Sequence, residues 1–157
     1  MRLLILLIAV RTVLCGAGLG GSVPAPEGWP VWARAADLEV YLAPDPEIEE
    51  ALLRVYRAPS ISLRGTLSGE LREAVRGRSV VRVSPEHRGT TEDGLAVMAQ
   101  VVISDDAEGA RRHTLLAVVQ GVRVAVLLHF ETSSEECLSQ HFQLVMNTAA
   151  AVRFSGS

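Results

Sequence analysis

The sequence predicts an α+β fold in which helices cover an antiparallel sheet. Residues Gly94 to Glu131 read as three successive strands, a meander with one apolar face. Leu63, Leu67, Leu71 and Val75 recur every four residues, which places them on one face of a helix. Leu138, Phe142, Val145 and Ala149 make a second stripe of that kind near the C-terminus. At 157 residues the chain has room for one such domain, since a single core usually takes ~100–200 residues.

In the meander, Leu95, Val97, Ala99, Val101 and Ile103 alternate with their neighbours up to the turn Asp105-Asp106-Ala107-Glu108-Gly109. Arg111 to Val119 is the second strand. Gln120-Gly121 is the expected two-residue hairpin loop, with glycine supplying a positive φ. The third strand then sets Val122, Val124, Val126, Leu128 and Phe130 against Arg123, Ala125, Leu127, His129 and Glu131 on its other face.

The helix over about 63–76 stops at Gly77. The last helix, about 134–149, is introduced by Ser133 and Glu136 at capping-box spacing, and its stripe is expected to cover the meander. Upstream, Gly28-Trp29-Pro30-Val31-Trp32 opens the domain with two aromatics to anchor a first strand, and Asp37 to Leu42 is a strand. Val80 to Ser84 is another, ended by Pro85, and Val152 to Phe154 is a short closing strand.

Residues 47–58 leave two alternatives open. Asp45 as N-cap and Pro46 at the first helical position would start a helix bearing Ile48, Ala51, Leu52 and Val55, with Glu50 four residues before Arg54. Ala51 to Ala58 reads equally well as a central strand.

The N-terminus carries the marks of a secretory leader. Met1-Arg2 precedes the apolar run Leu3 to Val10, which is shorter than the ~20 residues of a membrane-spanning helix. Arg11 interrupts the apolar region, and small residues for cleavage lie around Ala17. A lipid on Cys15 is the alternative, although Leu14 stands where a small residue is normally required. The expected organisation is a leader at 1–20, a linker at 21–27 and one α+β domain at 28–157. A true start downstream would make the protein cytoplasmic instead. Loss of the leader removes Cys15, so Cys137 would have no intramolecular disulfide partner.

A 48% hydrophobic and 21% charged composition supports a folded core. All 15 basic residues are Arg, a bias that GC-rich bacterial coding explains. The net charge of -3 offers no basic field to a nucleic-acid backbone, so no nucleic-acid partner is expected. Glu70, Arg72, Glu73 and Arg76 interleave as on a solvated helix face.

No constellation of residues assigns chemistry. With the two-residue loop, His113 faces Leu128 across the hairpin and His129 points to the opposite face of the sheet; His87 falls in a loop and His141 on the last helix. They read as four separate surface or packing histidines rather than a metal site. Cys137 and His141 are helical neighbours four apart, but no oxyanion hole or orienting third group accompanies them, so packing is the simpler role. Asp105, Asp106 and Glu108 lack calcium-loop spacing and suit a polar turn, neutralised by Arg111-Arg112. G-x-S-x-G, G-x-G-x-x-G and Walker motifs do not occur. No catalytic, cofactor-binding or metal-binding residue is therefore assigned, no cofactor is expected, and an enzyme is not.

The leader, the Gly28-Trp29 opening, the mid-chain helix ending in Arg76-Gly77, the meander and the terminal helix leading to Val152-Arg153-Phe154 come in one order. In that order, over about residues 27–155, the chain resembles the PsbP-like superfamily, in particular its bacterial DcrB-like branch of exported proteins and lipoproteins. The resemblance implies an antiparallel sheet sandwiched by helices, used to bind or stabilise other proteins rather than for catalysis. Its plant members assist a metal-containing photosynthetic complex. No residue's role is carried over from it. The resulting expectation is an exported, non-enzymatic binding or accessory domain with a protein partner in the cell envelope, touching membrane only through the leader or a lipid on Cys15. An intracellular chaperone- or immunity-type partner protein and a small enzyme using Cys137 and His141 are the alternatives.

Overall fold

The alternation between residues 95 and 131 becomes three long paired strands: β6 (Ala96–Asp105), β7 (Arg111–Gln120) and β8 (Val124–Thr132). The computed structural model describes residues 21–44 and 51–154. The expected leader at 1–20, with Arg11 and Cys15, lies outside the described residues, as do Asp45, Pro46, Ile48 and Glu50.

Around this meander the chain adds β1 (Val31–Ala35), β2 (Leu38–Leu42), β3 (Leu52–Pro59), α1 (Leu63–Ala74), β4 (Ser79–Val83), β5 (His87–Thr90) and α2 (Glu135–Ala150). The strands form one sheet in the order β1-β2-β3-β8-β7-β6-β4, with β5 also on β6, and every pairing is antiparallel. The expected α+β class is therefore observed, with the last helix on the meander. The alternatives at 47–58 resolve to a strand from Leu52 onward. β3 sits between β2 and β8, so both of its backbone edges are paired, and Leu53 and Val55 are completely buried.

The two faces of the sheet receive different helices. On one, α2 lays Cys137, Leu138, Val145 and Ala149 on Leu115, Ala117, Val119, Val126, Leu128 and Phe130. On the other, α1 sets Leu67 against Met98, Leu116, Val118, Ala125 and Leu127, flanked by Leu63 and Leu71. The strand period of two is what splits consecutive residues such as Leu127 and Leu128 between two cores.

Several local details differ from the expected ones. The β7–β8 turn is wider than two residues: Gln120 pairs with Ala125, and the Gly121 N–H donates to the Val124 carbonyl at 2.9 Å. His113 consequently opposes Thr132, not Leu128. Gly121 is not among the positive-φ glycines; it is needed for close approach, because a Cβ there would meet the Val124 carbonyl at 2.8 Å and the Phe154 ring at 2.9 Å. The register moves by four residues, an even number, so the side chains within β8 keep their expected faces, whereas Val122, expected to start the apolar face, falls in the turn and is 90% exposed.

The cap of α2 is Ser134 rather than Ser133, its hydroxyl accepting from the Cys137 N–H. Residues 152–154 contribute one isolated bridge, Arg153 with Ser22, instead of a strand. Trp29 is 5% exposed and lies 5.9 Å from Phe130, but Trp32 is 53% exposed on the outermost strand and anchors nothing. His87 belongs to β5 rather than to a loop; this four-residue strand carries Arg88 and Gly89 and has no apolar alternation to announce it.

Candidate functional site

The expected candidate residues are dispersed by the fold. His113 is buried on the α2 side of β7, in line with Leu115. His141 lies on α2 with its ring 5.0 Å from Trp29, near-perpendicular at 86°, and 5.9 Å from Phe130 at 68°. His87 makes a similar edge contact with Phe142 at 5.2 Å. His129 points the opposite way, to the α1 side. Among the described residues no group of three or more His, Cys, Asp or Glu is able to hold a metal ion.

Cys137 is completely buried in the α2-side core, so a thiolate there would have no access to a substrate from solvent. The acidic turn is built from within. The Asp106 carboxylate accepts from the Ala110 N–H at 2.8 Å and the Glu108 N–H at 3.0 Å, and it faces Arg112 at 3.5 Å. The Ala110 bond foremost, with Glu108 and Arg112, holds Asp106 below the usual carboxylate range. Arg111 takes Asp105 at 2.5 Å, so each basic residue of the pair neutralises one acid of the turn.

The most concentrated polar cluster lies where α1 ends. After the C-cap Val75, Gly77 adopts φ 75° and turns the chain back, which carries Arg78 over the end of β8. Arg78 Nη1 meets Glu131 Oε2 at 2.9 Å and its Nη2 meets Oε1 at 3.4 Å, a two-pronged grip. The Thr114 hydroxyl, directly across from Glu131 on β7, donates to the same Oε2 at 3.3 Å. His129 Nε2 stands 3.7 Å away, within charge–charge range but too far for a hydrogen bond.

Burial pushes the Glu131 carboxyl upward, yet its neighbours outweigh burial and hold it well below the usual range. Burial lowers the His129 pKa, with Glu131 opposing that shift and Arg54, from β3, adding to it. His129 and Arg78 both favour the Glu131 charge, and the Thr114 hydroxyl donates to it. Ser104 lies on the same face of β6, completely buried, and its hydroxyl has no hydrogen-bond partner among the described residues. Nearby, the Tyr56 hydroxyl of β3 donates to Glu70 of α1. Glu70 therefore reaches the sheet rather than standing only on a solvated face.

Chemically this cluster is a tether. It fixes the α1–β4 turn to the far end of β8 and offers an ionised, fully engaged carboxylate rather than an open acid or base. Sequence inspection does not find it, because Arg78 and Glu131 are 53 residues apart. The single local hint is a carboxylate at the end of an otherwise apolar strand.

One antiparallel sheet with a helix on each face is the Mog1/PsbP-like class of fold, and solved structures of that class superpose on the chain. The Ran-binding protein Mog1p of Saccharomyces cerevisiae does so with a TM-score of 0.60 at 10% identity, over 86% of this chain and 90% of Mog1p. LpqN of Mycobacterium tuberculosis, involved in cell envelope biogenesis, gives 0.60 at 13% identity, over 87% and 83%. The PsbP protein of Synechocystis, CyanoP, gives 0.55 at 15% identity, over 86% of each chain. No family model and no curated protein matches the sequence. These likenesses establish the fold; they carry no residue's role to this chain.

Proposed function

We propose that this chain is an exported, non-enzymatic binding or accessory domain of the PsbP-like superfamily, from its DcrB-like branch, that acts by docking to a protein partner in the cell envelope. The observation that carries this reading is the apolar surface of β4. Val80, Val81 and Val83 are 51%, 50% and 48% exposed on the outermost strand at one side of the sheet. A strand whose outer edge meets solvent presents unpaired backbone donors and acceptors, and exposed valines beside them suit the addition of a partner's strand. Val31 and Trp32 give β1, the opposite edge, a smaller apolar surface of the same kind.

The likeness to a Ran-binding protein and to a protein of cell envelope biogenesis supports binding rather than turnover, and the envelope as its place. In this reading residues 1–20 are the leader, 21–27 a linker and 28–157 the binding domain. The mature chain should capture one stoichiometric partner from its own envelope fraction. V81D/V83D should lose that partner while melting within a few degrees of the parent. Equal capture by parent and variant would refute β4 as the docking edge, and an intact Met1 on the purified native protein would refute cleavage of a leader.

A further inference from the structure

Two of the large apolar side chains most exposed to solvent, Ile61 at 82% and Val122 at 90%, lie away from the sheet edges on adjacent loops at one end of the sheet. Isolated exposed aliphatics are ordinary, but these two are held side by side. The Ser60 N–H donates to the Arg123 carbonyl at 3.0 Å, and the Gln120 amide bridges to the Ser60 hydroxyl at 2.8 Å and the Ile61 carbonyl at 3.4 Å. The loop before α1 and the β7–β8 turn thus form one braced apex with an aliphatic tip on each half.

The chain enters the domain at the same apex. The Gly21 carbonyl accepts from Arg57 Nε at 2.8 Å, and Gly21 packs against the Phe154 ring, the same ring that covers Gly121 of the β7–β8 turn. Residues 1–20, with the apolar run Leu3 to Val10 and with Cys15, join here. From Cys15 to Gly21 the chain spans at most ~20 Å at full extension. Any attachment to membrane through that segment therefore brings this end of the domain to the bilayer first.

The charge at the apex suits an anionic surface. Segments 57–69 and 119–130 contain Arg57, Arg64 and Arg123 and no acidic residue. Among the acids on neighbouring elements, Glu86 meets Arg64 at 3.3 Å, Glu92 is taken by Arg153 at 2.6 Å with Asp93 acting on the same Arg153, and Asp37 lies beside Arg57, whose backbone N–H donates to the Asp37 carbonyl at 3.1 Å.

We infer that this apex is a membrane-facing surface, with Ile61 and Val122 entering the headgroup region of a bilayer and Arg64 and Arg123 meeting anionic lipid headgroups. The inference rests on the export reading above, in which residues 1–20 draw this end of the domain to a membrane before they are removed. The mature chain, without residues 1–20, should co-sediment with vesicles containing phosphatidylglycerol and bind purely zwitterionic vesicles more weakly. I61D/V122D should lower the partition coefficient roughly ten- to a hundredfold, the scale of withdrawing two partly inserted aliphatic side chains from the headgroup region. I61S/V122S, a milder change, should shift it in the same direction, and R64Q/R123Q should remove the preference for anionic lipid. Parent chain that stays in the supernatant overturns the inference, and so does binding by both tip variants equal to the parent, which would place attachment elsewhere on the domain. Failure of the export reading is reported separately, by an intact Met1 on native protein recovered from the soluble cell interior.

Discussion

The two faces of the sheet are built from the same three central strands, yet they are chemically different. Among the described residues the α2 side buries an apolar cluster of 18, including Trp29, Tyr41 and Phe130, and the α1 side a cluster of six. Helix length accounts for much of this. α2 has 16 residues and α1 has 12, so at 1.5 Å per residue they cover about 24 Å and 18 Å of strands that run to roughly 30 Å. Where α1 stops, the sheet would be bare. Arg78, Thr114, Glu131 and His129 fill that end with a charged network instead of hydrocarbon. One face is held by packing, and the other partly by a tether whose partners need each other.

The largest effects should separate the two faces by size of loss. Phe130→Ala is expected to cost about 3–5 kcal/mol, because a completely buried ring leaves a cavity that its neighbours fill only in part. Leu67→Ala should cost less, about 2–3 kcal/mol, since half-buried Leu63 and Leu71 beside it have room to settle. Urea denaturation of both variants measures the contrast, and equal losses would break it.

Next comes the tether. Arg78→Met strands the Glu131 charge in a largely covered position, where both side chains are under a quarter exposed, and should cost roughly 2–4 kcal/mol. Removing both partners in R78M/E131L should recover most of that loss, because no buried charge is left unpaired. A double variant as unstable as the single one would mean that the network does more than satisfy its own members.

The α1 face should also be the acid-sensitive one. The His129 pKa is lowered by folding, so the unfolded chain binds its proton first and stability begins to fall once pH drops below about 6.5. The Glu131 pKa is lowered as well, and its contribution, complete above the unfolded carboxylate value near 4.3, disappears as pH falls below it. Thermal melts of H129Q and E131Q against the parent, from pH 8 to pH 3, should each flatten one of these windows. The smallest contrast is between the helix caps. Ser62→Ala and Ser134→Ala each free one backbone N–H, of Gly65 and Cys137, and each should cost about 1 kcal/mol. Unequal caps would show that α1 and α2 differ in more than the face they cover.

Much of the fold was legible because its signals are local. Leu63, Leu67 and Leu71 recur at helical spacing, and the residues from Leu95 to Ile103 alternate at strand spacing, whatever the rest of the chain does. β5 was not legible, since four residues without alternation become a strand only when Met98 and Ala99 lie alongside to pair with them. Trp32 was misjudged for a related reason. An aromatic next to a strand signal is usually an anchor, but β1 turned out to be the outermost strand.

By itself the sequence determined which residues share a face, because side-chain direction repeats every two residues in a strand and every 3.6 in a helix. It therefore determined the α+β class, the two helices and the apolar face of the meander. Only the tertiary structure decided register, edges and distant pairs. A hairpin displaced by four residues keeps every face, so the pairing of His113 with Thr132 leaves no trace in the local pattern. The Arg78–Glu131 tether likewise exists only once α1 has been laid across the sheet and its last turn ends above β8.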